Sequence, residues 1–307
     1  MLKIGVMGLG NICQKAYLPL YSQMQDSLKV ILASNDQEKA QHLQQKYGFS
    51  QVVTNLDDLL AQNIDACFIH SATQVHYAFI KQCLKAGVAV YVDKPISEDF
   101  SEVQELIALA NSQQLPFYVG FNRRYVPLLT PLTKNNSTQF YLQKNRRKGG
   151  GEPAYLLYDL MIHLMDTAVF LMHGDVQLAD SQIVTQVGVL QRVNCRLVNR
   201  QQTAFLTCNF NAGANQEIIQ SESHQGTYRL TNLNHLVHFA QEEMHFVPAD
   251  WQENLTTRGF KACLLDFLQA VEKWRTGESF PVQPYLLQSH QLIAEILAAN
   301  ENNSERK

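Results

Sequence analysis

Two glycines, Gly8 and Gly10, follow the apolar run Lys3–Met7 and precede a stretch of helical character. Between a strand and a helix, such a pair does phosphate chemistry. The first glycine permits a tight turn, and the second lets the backbone approach a pyrophosphate. The helix start, from Asn11 and Ile12 onward, offers unpaired N–H groups to the anion. Cys13 holds the third position of this G-x-G-x-x-G pattern and is small enough for close helix–strand packing. The pattern predicts a bound NAD or NADP. An acid at the end of the second strand would hydrogen-bond a ribose 2′-hydroxyl, whereas NADP needs that charge absent. The segment reads Leu32-Ala33-Ser34-Asn35-Asp36. Ser34, with Asn35 beside it, favours NADP; Asp36 would supply the acid of an NAD site if the register differs by two.

Two further places carry reactive groups. Lys94, in Asp93-Lys94-Pro95, follows the apolar run Ala89–Val92, where ligands of open parallel sheets bind. It reads either as part of a turn or as a catalytic cation. In the apolar stretch Ala154–Met172, Asp159, His163 and Asp166 fall on one helical stripe. Burying three ionisable groups together without function would be costly. His163 is thus a candidate acid/base, with a satisfied core histidine as the alternative. Asp166 reads as the structural partner of an arginine. No metal site is expected, because no further ligand accompanies the trio.

These residues need a frame to position them. Strand-like runs at Lys3–Met7, Lys29–Ser34, Ala66–Ile69, Ala89–Val92 and Pro116–Val119 alternate with helical patterns at Gln37–Tyr47, Gln74–Ala86 and Phe100–Gln113. The runs are short and apolar on both faces, as buried parallel strands are. Gly48 and Gly87 stand where helix C-caps want a residue at positive φ. This βαβ rhythm predicts a doubly wound Rossmann sheet over residues 1–121. Beyond it come a loop-rich stretch, the apolar helix, and strand-like segments at Ile183–Leu190, Cys195–Val198, Gln202–Asn211, Glu217–Ser221, Thr227–Leu230 and Met244–Val247. Helices are expected near Gly259–Trp274 and Pro284–Ala299, and the tail 300–307 is polar. Residues 122–307 are therefore expected to form an α+β domain with a mostly antiparallel, open-faced sheet.

At 307 residues the chain has room for two domains. Its net charge of −3 gives no general attraction to nucleic acid or anionic membrane. The one basic run, Lys144–Lys148, reads first as a solvated loop and second as a phosphate-binding segment. It lacks the interleaved aromatics of a nucleic-acid module. Six cysteines without CxxC spacing suit a reducing, cytoplasmic setting. No apolar run is expected to reach the roughly 20 residues of a membrane span.

Four motifs in order resemble the Gfo/Idh/MocA oxidoreductases, and most closely the MviM-type members. They are Ser71-Ala72-Thr73 with His76, Asp93-Lys94-Pro95, Gly120-Phe121-Asn122-Arg123-Arg124-Tyr125, and Asp159-x-x-x-His163. The resemblance spans essentially the whole chain. It implies an NAD(P)-dependent dehydrogenase or reductase acting on a polyol, sugar or related small molecule, and a dimer or tetramer. It further implies that Lys94 stabilises charge on the substrate oxygen, His163 is the general acid/base, and Asp159 binds substrate or orients the imidazole. Ser71, Ala72, Thr73, His76, Asp93, Asn122 and Arg123 would stand at the cofactor. Met161 departs from the family pattern, which has glycine two residues before the histidine. That departure keeps open a cofactor-binding regulatory protein without turnover; an NAD-recycling hydrolase or lyase is a further alternative.

Overall fold

A computed structural model describes residues 1–278 and 282–304. The chain divides into two compact units: Met1–Gly120 with Cys263–Pro284, and Phe121–Ala262 with Tyr285–Lys307.

The first unit is a six-stranded, wholly parallel sheet in the order β3-β2-β1-β4-β5-β6. Its strands are β1 (Leu2–Met7), β2 (Leu28–Ala33), β3 (Gln51–Val53), β4 (Ala66–Ile69), β5 (Ala89–Val92) and β6 (Phe117–Val119). This is the order of a dinucleotide-binding sheet, which reverses direction between β1 and β4. β4 and β5 are buried along their whole length, as strands covered on both faces must be. The helix Gln37–Tyr47 begins where the Asp36 carboxylate accepts from Lys39 N and ends at Gly48, with φ +70°. β3 and the short helix Leu56–Leu60 had no counterpart in the sequence reading. β3 is a three-residue edge strand, too short to show a period.

The helix Phe260–Arg275 corrects the expected domain limits. From Cys263 onward it joins the first unit, not the second, because its apolar face completes the aromatic core there. Phe267 packs against Phe68, Tyr91 and Tyr118, and Cys263 Sγ lies 3.4 Å from Tyr91 Oη.

The second unit is an eight-stranded sheet in the order β14-β13-β12-β11-β7-β10-β9-β8. Its strands are β7 (Gln139–Asn145), β8 (Gln177–Gln186), β9 (Val189–Val198), β10 (Thr203–Asn209), β11 (Gln216–Ser223), β12 (Gly226–Thr231), β13 (His235–Phe239) and β14 (Glu243–Phe246). Every pairing is antiparallel except β7 with β10. The expected strand Ile183–Leu190 is in fact the end of β8, a turn and the start of β9. Val187 and Gly188 both take positive φ, the twist a two-residue hairpin demands. One face of the sheet is open, with Tyr141 and Phe205 stacked on it. The helical stretch Pro153–Leu171 covers the other.

That stretch corrects another expectation. Its 19 residues are long and apolar enough to cross a membrane by composition, yet 67% of the apolar window is buried inside the unit. Its apolarity is that of a core helix. Of the polar tail, residues 300–304 continue the helix Leu286–Ser304, and 305–307 lie outside the described residues.

Candidate active site

In the first unit the glycine loop joins β1 to a helical stretch over residues 11–22, which includes a π turn at Cys13–Tyr17. Gly8 has φ +92°, and a Cβ there would lie 2.5 Å from Ser71 N and 2.7 Å from His70 C. No side chain fits. A Cβ on Gly10 would meet only His70 O, at 3.9 Å, so the protein itself leaves that direction open. The loop is therefore closed on the protein side at Gly8 and open at Gly10, with Asn11 and Ile12 exposed at the helix start. A dinucleotide pyrophosphate fits this cradle. Cys13 is fully buried, and burial pushes its thiol well up, which makes it a packing residue.

Ser34 follows β2 directly and is half-buried, its Oγ accepting from Asp36 N at 3.1 Å, and Asn35 is exposed. The Asp36 carboxylate caps the following helix. Ser71, Ala72 and Thr73 form the loop after β4 and lead through a 3₁₀ turn at Thr73–Val75 into the helix His76–Lys85. His76 is buried. Its Nδ1 lies 2.8 Å from Pro95 O and its Nε2 3.0 Å from Ser71 O. The imidazole thus ties the loop after β4 to the loop carrying Lys94. Burial lowers its pKa, against the pull of the two carbonyls. Asp93 and Lys94 are half-buried; Lys94 N donates to Asp93 Oδ1 at 3.1 Å.

Beneath the cradle, His70 stacks on Tyr17 with 4.0 Å between ring centroids, and Tyr21 Oη lies 2.9 Å from its Nε2. Burial, with a smaller contribution from His76, pushes His70 down to about 3, so the ring is neutral.

In the second unit Asp159 lies in a π turn, Leu157–Met161, and His163 in the α-helix that continues it, Ile162–Leu171. Both are half-buried. Asp166 is fully buried, its carboxylate gripped by the Arg124 guanidinium and bonded by Ser289 Oγ at 3.1 Å. It has the structural role expected of it. Burial pushes Asp166 up and the Arg124 charge opposes this. Among the described residues no cluster of His, Cys, Asp and Glu could hold a metal ion. Met161 is fully buried, its Sδ 3.5 Å from Cys208 Sγ. The side chain that departs from the family pattern points into the core.

Asn122 and Arg123, expected at the cofactor, have buried side chains engaged within the second unit. Asn122 Nδ2 donates to Arg258 O at 2.7 Å. Arg123 binds Glu217 through Nε at 2.5 Å and Nη2 at 2.9 Å. Lys144 donates to the same carboxylate at 2.6 Å. This corrects the reading of Lys144–Lys148 as a solvated loop at its start, whereas Arg147 and Lys148 do lie in an exposed turn. Lys144 sits in β7, with Cys208 and Glu217 as its register partners on either side, and is only 3% exposed. The sequence reading placed Glu217 only as the start of a strand-like run and gave it no role. The strand reads QEIIQSES, so a glutamate in it carries no signal of its own.

The family model described as "Oxidoreductase family, NAD-binding Rossmann fold" matches residues 2–121. YceM of Salmonella typhimurium is 30% identical over 293 residues, 94% of this chain and 95% of that one. The chain belongs to the Gfo/Idh/MocA oxidoreductase family. Solved structures agree along the whole length. The MviM dehydrogenase of Clostridium difficile is 25% identical, with a TM-score of 0.88 over 97% of this chain and 99% of that one. A Gfo/Idh/MocA family oxidoreductase from Vibrio cholerae is 26% identical, with a TM-score of 0.89 over 100% of both chains. The matched residues 2–121 include the glycine loop, Ser71–Thr73 and Lys94; Asp159 and His163 lie beyond them.

Proposed function

We propose that this chain is a cytoplasmic NAD(P)-dependent dehydrogenase or reductase acting on a hydroxyl or carbonyl of a polyol, sugar or related small molecule. The glycine loop carries the reading: closed at Gly8, open at Gly10, with the helix N–H groups exposed beyond it. Gly8, Gly10, Asn11 and Ile12 would hold the pyrophosphate, with Ser71, Ala72, Thr73 and Asp93 along the neighbouring loops. When bound, the nicotinamide supplies or accepts the hydride. Lys94 sets a positive charge against the substrate oxygen and makes its proton easier to lose. His163 takes that proton, or returns it in the reverse direction. Asp159 holds a neighbouring hydroxyl or orients the imidazole. The neutral Ser34 and Asn35, with Asp36 engaged in a helix cap, support NADP over NAD. Six free, buried cysteines support a reducing compartment. The open sheet face bearing Tyr141 and Phe205 supports a homo-oligomer.

Calorimetric titration of nucleotide-free protein with NADPH and NADH tests the reading. Tighter binding of NADPH is expected, and Gly10→Ala should weaken it at least about tenfold while leaving the fold intact. Preference for NADH would move the selective role to Asp36. Binding of neither by folded protein would overturn the assignment.

A further inference from the structure

Buried charge in the second unit is balanced in one place and unbalanced in another. Arg124 and Asp166 match one to one. Around Glu217 the count differs. Arg123 and Lys144 both grip this single carboxylate, and all three side chains are nearly inaccessible. Two more cations stand close by. Arg146 follows Lys144 by two residues, just past the end of β7. Arg258 is fixed by the bond from Asn122 Nδ2 to its carbonyl, beside Arg123. The charges of Arg123 and Arg146 both act on Arg258. Burial first, and then Arg123, lowers Lys144 to about 8. Arg146 and Arg258 are half-buried, and among the described residues neither has an ion-pair partner. Two cations thus hold the one carboxylate, and two more, Arg146 and Arg258, add positive charge near it.

Such an excess is costly to desolvate unless an anion completes it. Arginine is suited to the task, since its planar fork matches the two oxygens of a carboxylate or phosphate. The strands that carry the cluster also pack against the helical stretch that carries the candidate acid/base. Lys144 pairs in register with Cys208, whose Sγ touches Met161 Sδ, two residues before His163.

We propose that Arg146 and Arg258 bind an oxyanion carried by the substrate, a carboxylate or phosphate on a polyol or sugar skeleton, while Arg123, Lys144 and Glu217 form the fixed base beneath it. The inference rests on the reading of His163 as part of the active site, but its test needs no turnover. Nucleotide-free protein is titrated by calorimetry with glucose, glucuronate, glucose 6-phosphate and inorganic phosphate, alongside Arg146→Met and Arg258→Met. At least one acidic sugar is expected to bind ten times or more tighter than glucose, with each variant losing most of that preference. Glucuronate ahead of glucose 6-phosphate identifies a carboxylate, and the reverse order a phosphate. The variants should unfold no earlier than wild type without ligand, since each removes an unbalanced charge. Equal binding of neutral and acidic sugars would overturn the proposal. So would acidic-sugar binding unchanged in both variants, or binding of inorganic phosphate alone. Acidic-sugar binding by a protein that takes up no nicotinamide would defeat the dehydrogenase reading and leave the oxyanion site standing.

Discussion

The two units build their candidate sites from different materials. In the first, the cradle is backbone: a glycine that cannot carry a side chain, a second that need not lack one for the protein's own sake, and a helix start. The buried groups beneath it are neutral, a histidine wrapped by Tyr17 and Tyr21. In the second, buried charge is fixed, with Arg123 and Lys144 on Glu217 at the inner face of the sheet and Arg124 on Asp166 of the helix Ile162–Leu171. A backbone cradle depends on where side chains are excluded. An ionic base depends on which charges the strand register aligns.

Removing one side chain should therefore affect the units differently. Glu217→Ala leaves two buried cations without their carboxylate and should lower unfolding stability by about 3–5 kcal/mol. The pull of those cations already outweighs burial, which alone would raise Glu217, and holds the carboxyl well below its usual range. Urea unfolding followed by circular dichroism measures the loss. A change below about 1 kcal/mol would mean that water, not protein, solvates the three groups, and the contrast between the units would collapse.

The next effect is on chemistry. Lys94→Met and His163→Ala should each lower kcat/KM at least about 100-fold, equivalent to about 2.7 kcal/mol of transition-state stabilisation. Both side chains are half-buried, so these variants should fold. Steady-state rates on the first active substrate decide the point, and unchanged turnover in both would remove these residues from the mechanism.

The same contrast explains what could be read from sequence. The parallel sheet was legible because buried strands are short apolar runs and the glycine loop needs particular residues at particular positions. The helix Gln37–Tyr47 was found to the residue because Asp36 and Gly48 mark its ends. β7 was missed. Its Lys144 breaks the apolar alternation, and only Glu217, 73 residues away, makes a lysine acceptable there. β13 was missed for a related reason, since His235 and His238 interrupt a short strand. The helix from Phe260 showed its apolar face but not its destination, because that face reads the same against either core. His163 was visible as an ionisable group in an apolar stretch. Long-range pairing of charges is what a single sequence conceals.

The smallest expected effect puts a matching group of each unit side by side. His70 in the first is held near 3 by burial and then by His76; His290 in the second is held near 4 by burial, against the pull of the Leu286 carbonyl. Both rings are neutral in the fold, whereas an unfolded histidine titrates at about 6.5. Below that pH the unfolded chain binds more protons, so the contribution is complete above pH 6.5 and is lost as pH falls toward 4 and 3. Each histidine should cost about 1.4 kcal/mol per pH unit in that window. His70→Phe keeps a ring on Tyr17 but cannot take the proton. Between pH 6.5 and 5 it should lose about 2 kcal/mol less stability than wild type, and His290→Leu should do the same. Urea unfolding at the two pH values gives the differences. Equal losses in wild type and both variants would mean that water reaches the rings and that neither core is dry around its histidine. A flattened slope in His70→Phe alone would place that fault in the second unit, beside the charges that already set it apart.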